Sequence, residues 1–405
     1  VSGFHVATPD EIRSGRTTDV YFRRTLEVLE REGKDPEVTA EVRTVRLPRG
    51  WEWGILAGIE EVCHLLGGAR VDLDSMREGS LFRADEPVLM IHGRYRNFAE
   101  YETPLLGLLC QASGVATKAA RCRRAAGDRL LVNFGARRMH PAITPMLDRS
   151  SYIGGCDAVS AIKGAEVVGV EPTGTMPHAL VLIMGDTVAA AQAFHRDIEP
   201  TVKRIVLIDT FNDEQVEAVR VAGAMGSDLY AVRLDTPGSR RGNFAAILQE
   251  VRWELDLRGF RDVKLFVSGG IDEDDIVRLN AVADAYGVGT SITSAPVIDF
   301  SLDIVEVDGE PRAKRGKRSG AKRLLACARC GRRWIAPRME EAAAECDCGG
   351  TVHDLLEPQL RQGELAAPLP TPQEIRAFVI DQIASLEEGS FRGKKGDRME
   401  VSNGA

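Results

Sequence analysis

Four thiols stand close together late in the chain: Cys327 and Cys330, then Cys346 and Cys348, a C-x2-C pair and a C-x-C pair separated by fifteen residues. Two chelating pairs joined by a short loop supply four thiolates for a tetrahedral metal, so a structural zinc ion is expected there. Redox chemistry at Cys327 and Cys330 is the lesser alternative, and His353 reads as a bystander. Two glycine segments offer a different chemistry. In "FVSGGIDEDDI" a strand runs into Ser268, Gly269 and Gly270 and then a helix, and "YGVGTS" presents Gly289 and Thr290 one strand later. Bare backbone amides at such corners cradle anions, and two of them on adjacent late strands favour a phosphorylated ligand. His178, in "GTMPHAL", sits between small residues and Pro177 and reads either as a core histidine or as a reactive one. Cys63, Cys110, Cys122 and Cys156 read as small buried residues, and His64 and His195 carry no suggestive setting.

These groups need a scaffold, and from about residue 130 the sequence provides one. Apolar strands are expected at "LLVNFG", "AEVVGVEP", "RIVLIDTF", "DLYAVRLD", "VKLFVSGG" and "AYGVGTS", with amphipathic helices between most of them. Strands joined through crossover helices are parallel, which gives an α/β barrel or a doubly wound sheet. Polar residues gather at the strand C-termini: Asn133 and Arg137, Glu171, Asp209, Arg233 and Asp235, then Ser268 to Gly270, Gly289 and Thr290. Parallel α/β folds place their active sites at that edge. Before residue 130 the pattern is α+β, with two helices expected to break near Ser113 and Gly114.

The chain has 405 residues, 44% hydrophobic and 28% charged, with a net charge of -8. That length implies a large domain with smaller units, and the charge argues against a surface devoted to nucleic acid. No apolar run reaches the ~20 residues of a membrane span, and no signal peptide is visible, so a cytoplasmic protein is expected. The expected division is an α+β domain over 1–115, completed by later segments, and a barrel over 116–300. Return strands and a basic linker follow over 301–323, a cysteine module over 324–356, a C-terminal helical segment over 357–391 and a disordered tail over 392–405. The run "RAKRGKRSGAKR" holds seven basic residues and reads first as a solvated linker, with nucleic-acid binding as a low alternative.

The ordered segments "TTDVYF", "NFGARRMHPA", "GGCDAVS", "GTMPHAL", "LIDTFND", "VRLDTPGSRRGNF", "VSGGID" and "GVGTS" resemble nicotinate phosphoribosyltransferase, in its variety with a cysteine-rich zinc module. The resemblance implies an irregular α/β barrel of the type II phosphoribosyltransferase kind with an α+β domain, working as a homodimer or larger assembly with shared active sites. It implies transfer of phosphoribose from phosphoribosyl pyrophosphate to nicotinate, with Mg2+ and ATP as further requirements. By resemblance, Phe134 and the partner's Tyr21 flank the pyridine ring, Arg137, Arg233 and more weakly Arg138 meet anions, and Asp157 lies near the ring. Asp209 and Asp235 match carboxylates near ribose or magnesium, while Ser268, Gly269, Gly270, Gly289 and Thr290 match the 5'-phosphate cradle. A histidine at the position of His178 is the group phosphorylated by ATP in that family. Quinolinate or nicotinamide as the base are the competing readings.

Overall fold

The computed structural model describes residues 3–48, 50–340 and 344–386. The expected tail over 392–405 therefore lies outside the described residues. The chain divides into two units, Val1–Thr117 with Pro296–Ala405, and Lys118–Ala295.

The first unit is organised by a seven-stranded antiparallel sheet that uses both ends of the chain. Its order is Glu310–Pro311, Ser301–Val307, Glu37–Arg43, Pro87–Arg94, Val71–Ser75, Glu357–Arg361 and Glu364–Leu365. Residues 357–365, expected within a helical segment, are thus strands, and the helix begins only at Pro372, capped by Thr371. In the third strand of that order, "EVTAEVR", Val38, Ala40 and Val42 enter the apolar core. The alternating Thr39 and Glu41 are buried as well, because partners cover them: His92 Nδ1 lies 3.1 Å from the Thr39 hydroxyl, and Lys322 Nζ lies 2.8 Å from Glu41. A buried carboxylate needs such a partner.

The basic run is absorbed in part in the same way. Lys314 and Lys317 reach Asp303 at 2.8 and 2.5 Å, and Lys322 is itself buried on Glu41. Lys317 and Lys322 are thus held by buried carboxylates, while Arg312, Lys314, Arg315 and Arg318 remain exposed, as expected of a solvated linker.

One helix, Glu102–Ala126, replaces the two expected. Ser113 and Gly114 do not break it; they allow close approach. The Ser113 hydroxyl accepts from Ala57 N–H at 3.0 Å, and a Cβ on Gly114 would stand 2.4 Å from the Pro296 carbonyl oxygen.

The second unit holds six parallel strands in the order Ala158–Val159, Leu130–Asn133, Ala285–Val288, Lys264–Ser268, Ala231–Leu234, Ile205–Leu207. The two outer strands do not pair with one another, so the sheet is an open half-barrel. Its interior is filled by Val132, Ala158, Ile205, Ala231, Phe266 and Ala285.

"AEVVGVEP" is not a strand. Its apolar run belongs to the helix Ile162–Val168, which closes at left-handed Gly169, and the second strand lies upstream at Ala158–Val159. Gly164 explains the choice: a Cβ there would meet the Asp148 carboxylate at 2.0 Å, so the helix lies directly on the neighbouring one, Thr144–Ile153. Glu171 consequently follows a helix and is exposed rather than standing at a strand end.

Candidate active site

A cavity of about 590 Å³ opens at the C-terminal edge of the half-barrel. Of the residues singled out from sequence, Phe134, Arg137, Arg138, His178, Arg233 and Asp235 line it. So do Ser268, Gly269, Gly270, Gly289 and Thr290. Most converge because they lie at or just beyond the C-terminal end of a parallel strand, where the chain leaves the sheet; His178 instead opens the helix His178–Met184, which follows Ile162–Val168.

Arg233 organises the centre. Its Nε donates to the Ser268 hydroxyl at 2.9 Å and its Nη1 to the Thr175 hydroxyl, while Nη2 lies 3.6 Å from Asp235. Ser268 in turn donates to Asp235 at 2.7 Å. Burial pushes the Arg233 guanidinium below its usual range, and the nearby Asp235 and Asp209 carboxylates oppose that shift. Its guanidinium carbon stands 5.2 Å from the centroid of the Phe134 ring, within cation–π range.

The Ser268–Gly270 corner is braced from behind. Gly269 and Gly270 have φ of +82° and +65°, a conformation that side chains disfavour. Arg241 donates to the carbonyls of Thr236 at 2.8 Å and Ser268 at 3.0 Å, and also to that of Gly269. With the carbonyls tied back, the cradle's amides can face an anion.

His178 lies on the cavity wall at the start of the helix His178–Met184. Its Nε2 is 3.2 Å from Asp209 Oδ1, and the Asp209 side chain is only 3% exposed. Asp209 does not line the cavity itself; it acts on it through His178. The hydrogen bond to Asp209 raises the imidazole above its ordinary pKa, against a smaller opposing effect of burial. An ionised carboxylate can only accept, so in the neutral ring Nε2 carries the proton and Nδ1 the lone pair.

Two sequence-based candidates are placed elsewhere. Asp157 does not line the cavity; its Oδ2 accepts from Arg123 at 2.6 Å and from Leu131 N–H at 2.7 Å. Tyr21 belongs to the first unit, where it is 54% exposed with its ring against Phe22. Conversely, sequence reasoning missed Thr175, Leu207, Asp272 and Gly287, all on the cavity wall, and the supporting Asp148 and Arg241. Asn133, noted only as a strand-end residue, is fully buried; its amide donates to Asp148 at 2.9 Å and its Oδ1 accepts from Gly135 N–H at 3.0 Å.

The four late cysteines form one cluster in the first unit. Their sulfurs lie within 4.8 Å of one another, with Cys327 to Cys348 at 3.5 Å and Cys330 to Cys346 at 3.9 Å. Four thiolates at ~2.3 Å from a tetrahedral zinc stand ~3.8 Å apart. The cluster therefore fits a metal such as zinc, and among the described residues it includes no carboxylate or imidazole ligand.

No helix among the described residues is long and apolar enough to cross a membrane. Residues 115–303 match the profile of the quinolinate phosphoribosyl transferase C-terminal domain, and residues 19–113 match that of its N-terminal domain. A nicotinate phosphoribosyltransferase of Mycobacterium tuberculosis (strain CDC 1551 / Oshkosh) is 30% identical over 340 residues, spanning 75% of each chain. The crystal structure of nicotinate-nucleotide pyrophosphorylase from Pyrococcus furiosus superposes with a TM-score of 0.93 at 50% identity, over 96% of this chain and 100% of that one. Human nicotinic acid phosphoribosyltransferase shares the fold, with a TM-score of 0.75 at 21% identity over 95% and 97% of the two chains. With its half-barrel, antiparallel companion unit and strand-end cavity, the chain belongs to the nicotinate/quinolinate phosphoribosyltransferase family and is an enzyme of NAD biosynthesis.

Proposed function

We propose that the chain transfers phosphoribose from phosphoribosyl pyrophosphate to the ring nitrogen of nicotinate, releasing nicotinate mononucleotide and pyrophosphate, with ATP hydrolysis coupled through His178. The observation that carries the ATP coupling is His178 on the cavity wall, a histidine oriented from behind by the buried Asp209 carboxylate. That is the arrangement of an activated nucleophile. Nδ1 attacks the γ-phosphorus of ATP, the P–N bond forms as the bond to the ADP oxygen breaks, and water later cleaves the phosphohistidine to release inorganic phosphate.

In the transfer step, positive charge develops at ribose C1 as pyrophosphate leaves, and catalysis requires groups that match that redistribution. Arg137, Arg138 and Arg233 supply cations for the pyrophosphate and the nicotinate carboxylate, and the cradles at Ser268–Gly270 and Gly289–Thr290 suit the 5'-phosphate. Asp235 lines the same cavity and meets the ribose hydroxyls or the Mg2+ carried by the substrate in this reading. Phe134 supports one face of the base, and Tyr21 of the partner subunit covers the other in a homodimer or larger assembly. The exposure of Tyr21 suits that role. The enzyme is placed in the cytoplasm, where its nucleotide substrates are.

The second reading is transfer to quinolinate, and the three arginines that line the cavity favour it, since they could meet a dicarboxylate. That reaction leaves the His178–Asp209 pair without a task. Incubation with phosphoribosyl pyrophosphate and Mg2+, offering nicotinate, nicotinamide or quinolinate with and without ATP, decides between them. The expected result is a nucleotide from nicotinate, stimulated by ATP; nucleotide from quinolinate alone would replace this reading with the second.

A further inference from the structure

Gly287 stands third in the strand Ala285–Val288, in the middle of the half-barrel. A glycine inside a strand weakens it, and commonly marks a place where something else must come close. Its backbone does not adopt a positive φ, so conformation does not require glycine here. Space does. A Cβ on Gly287 would stand 2.4 and 2.5 Å from Cε2 and Cδ2 of Phe134 and 3.0 Å from Cε1 of Phe266. The two shorter separations are about 1 Å inside ordinary carbon–carbon contact.

Three further contacts hold the Phe134 ring on this spot. The Phe134 N–H donates to the Val288 carbonyl at 2.8 Å, anchoring the residue beside the strand that carries Gly287. Phe266 stacks against the ring at 5.9 Å between centroids with 24° between planes. Arg233 stands over the ring at 5.2 Å. Gly287 and Phe134 both line the cavity, so a ring displaced from its seat changes the space available there.

We propose that Gly287 is a positioning residue that sets the depth of the slot for the pyridine base: its bare α-carbon seats the Phe134 ring, and any side chain would lift that ring into the cavity. The inference rests on the reading of Phe134 as the support for the base. It assigns a role in base specificity to a residue that has no side chain to touch the base. The phosphate cradles at Ser268–Gly270 and Gly289–Thr290 are built from other backbone, so binding of phosphoribosyl pyrophosphate should be far less affected.

The test is a double-mutant cycle of Gly287→Ala and Phe134→Leu, read as KM for the base and for phosphoribosyl pyrophosphate separately. Gly287→Ala is expected to raise the base KM ~10- to 100-fold, the scale of a 1 Å misplacement, with the phosphoribosyl pyrophosphate KM within ~3-fold. In the Phe134→Leu background the added methyl has room, and its further effect on the base KM should stay under ~2-fold. An unchanged base KM in Gly287→Ala, or the same fold increase in both backgrounds, overturns the proposal. If the single variant does not fold, a folded double variant supports the seat, and a double variant that also fails to fold overturns it. Wild-type turnover with none of nicotinate, nicotinamide or quinolinate would instead remove the functional reading. The cycle is then read from calorimetric binding of those three bases, where affinity unchanged by Gly287→Ala overturns the seat.

Discussion

His178 Nε2 stands 3.2 Å from a carboxylate oxygen of Asp209, a residue 31 positions further along the chain whose side chain is almost fully buried. The contact engages Nε2 rather than Nδ1 and holds the imidazolium form to higher pH than an isolated histidine. A nucleophilic histidine must be neutral. Formation of acid-labile phosphohistidine from ATP should therefore rise with pH through a midpoint above the ordinary ~6.5, and Asp209→Asn should move that midpoint down while slowing the step. The same shift has a stability sign: the contact stabilises the fold fully below the unfolded histidine pKa and loses that contribution as pH rises through the higher folded value. Phosphate incorporation measured from pH 5.5 to 8.5 tests this, and an identical midpoint in Asp209→Asn would remove Asp209 as its cause.

The sulfur spacing in the cysteine cluster predicts about one zinc per chain by elemental analysis. Cys327 is buried at the end of the strand Lys322–Cys327, so metal binding there ties two chelating turns to the sheet. Cys330→Ser, or a strong chelator, should release the metal and lower Tm by several degrees or more, since metal-binding energy is folding energy in such modules. The cavity residues belong to the other unit, so KM for the base should be unaffected at temperatures where the variant is folded. A metal-free wild-type chain whose Tm ignores the chelator would contradict the assignment.

Asp148 offers a test within the barrel. One of its oxygens accepts from Asn133, whereas Oδ2 has no hydrogen-bond partner among the described residues. Burial pushes the carboxyl up to about 7. A folded pKa above the unfolded ~3.9 means the folded state binds more protons across that interval, so this group makes stability fall as pH rises from about 4 to 7. Glu102, also raised to about 7 by burial, contributes with the same sign. Asp148→Asn should flatten part of that dependence, seen as a smaller drop in Tm between pH 4 and 7. An unaltered drop would show that Asp148 is ionised throughout.

The strand-end gathering of Phe134, Arg137, Arg233, Asp235 and the two glycine cradles was legible in the sequence because a parallel sheet leaves few places for polar residues next to apolar strands. The run "AEVVGVEP" was not, since a short apolar stretch reads equally as strand or helix, and what decides it is Gly164 lying against Asp148, sixteen residues earlier in number but adjacent in space. Ser113 and Gly114 misled for a related reason: small residues in a helix signal either a break or a close neighbour, and here the neighbours are Ala57 and Pro296. Asp157 matched a motif, yet its partners Arg123 and Leu131 make it a brace for the first barrel strand. Gly287 could not be singled out at all. Only the position of the Phe134 ring reveals why it carries no side chain.

Arg241 behind the Ser268–Gly270 turn, the proposed phosphate cradle, gives a last prediction. Its guanidinium spans three carbonyls, those of Thr236, Ser268 and Gly269, while its face lies 4.5 Å from the centroid of Phe244. A planar fork can hold several acceptors at fixed angles, whereas a lysine ammonium is a point charge on a flexible stem. Hydrogen bonds to charged groups are worth ~1.5–3 kcal/mol each, so loss of even one leaves the Ser268–Gly270 turn less firmly set for an anion. Arg241→Ala should raise the KM for phosphoribosyl pyrophosphate by ~10- to 100-fold, and Arg241→Lys should recover only part of it. The base KM should move much less, because Phe134 is anchored through Val288 and Gly287 on another strand. Steady-state kinetics with each substrate varied in turn distinguishes this from general loosening, which would raise both KM values together.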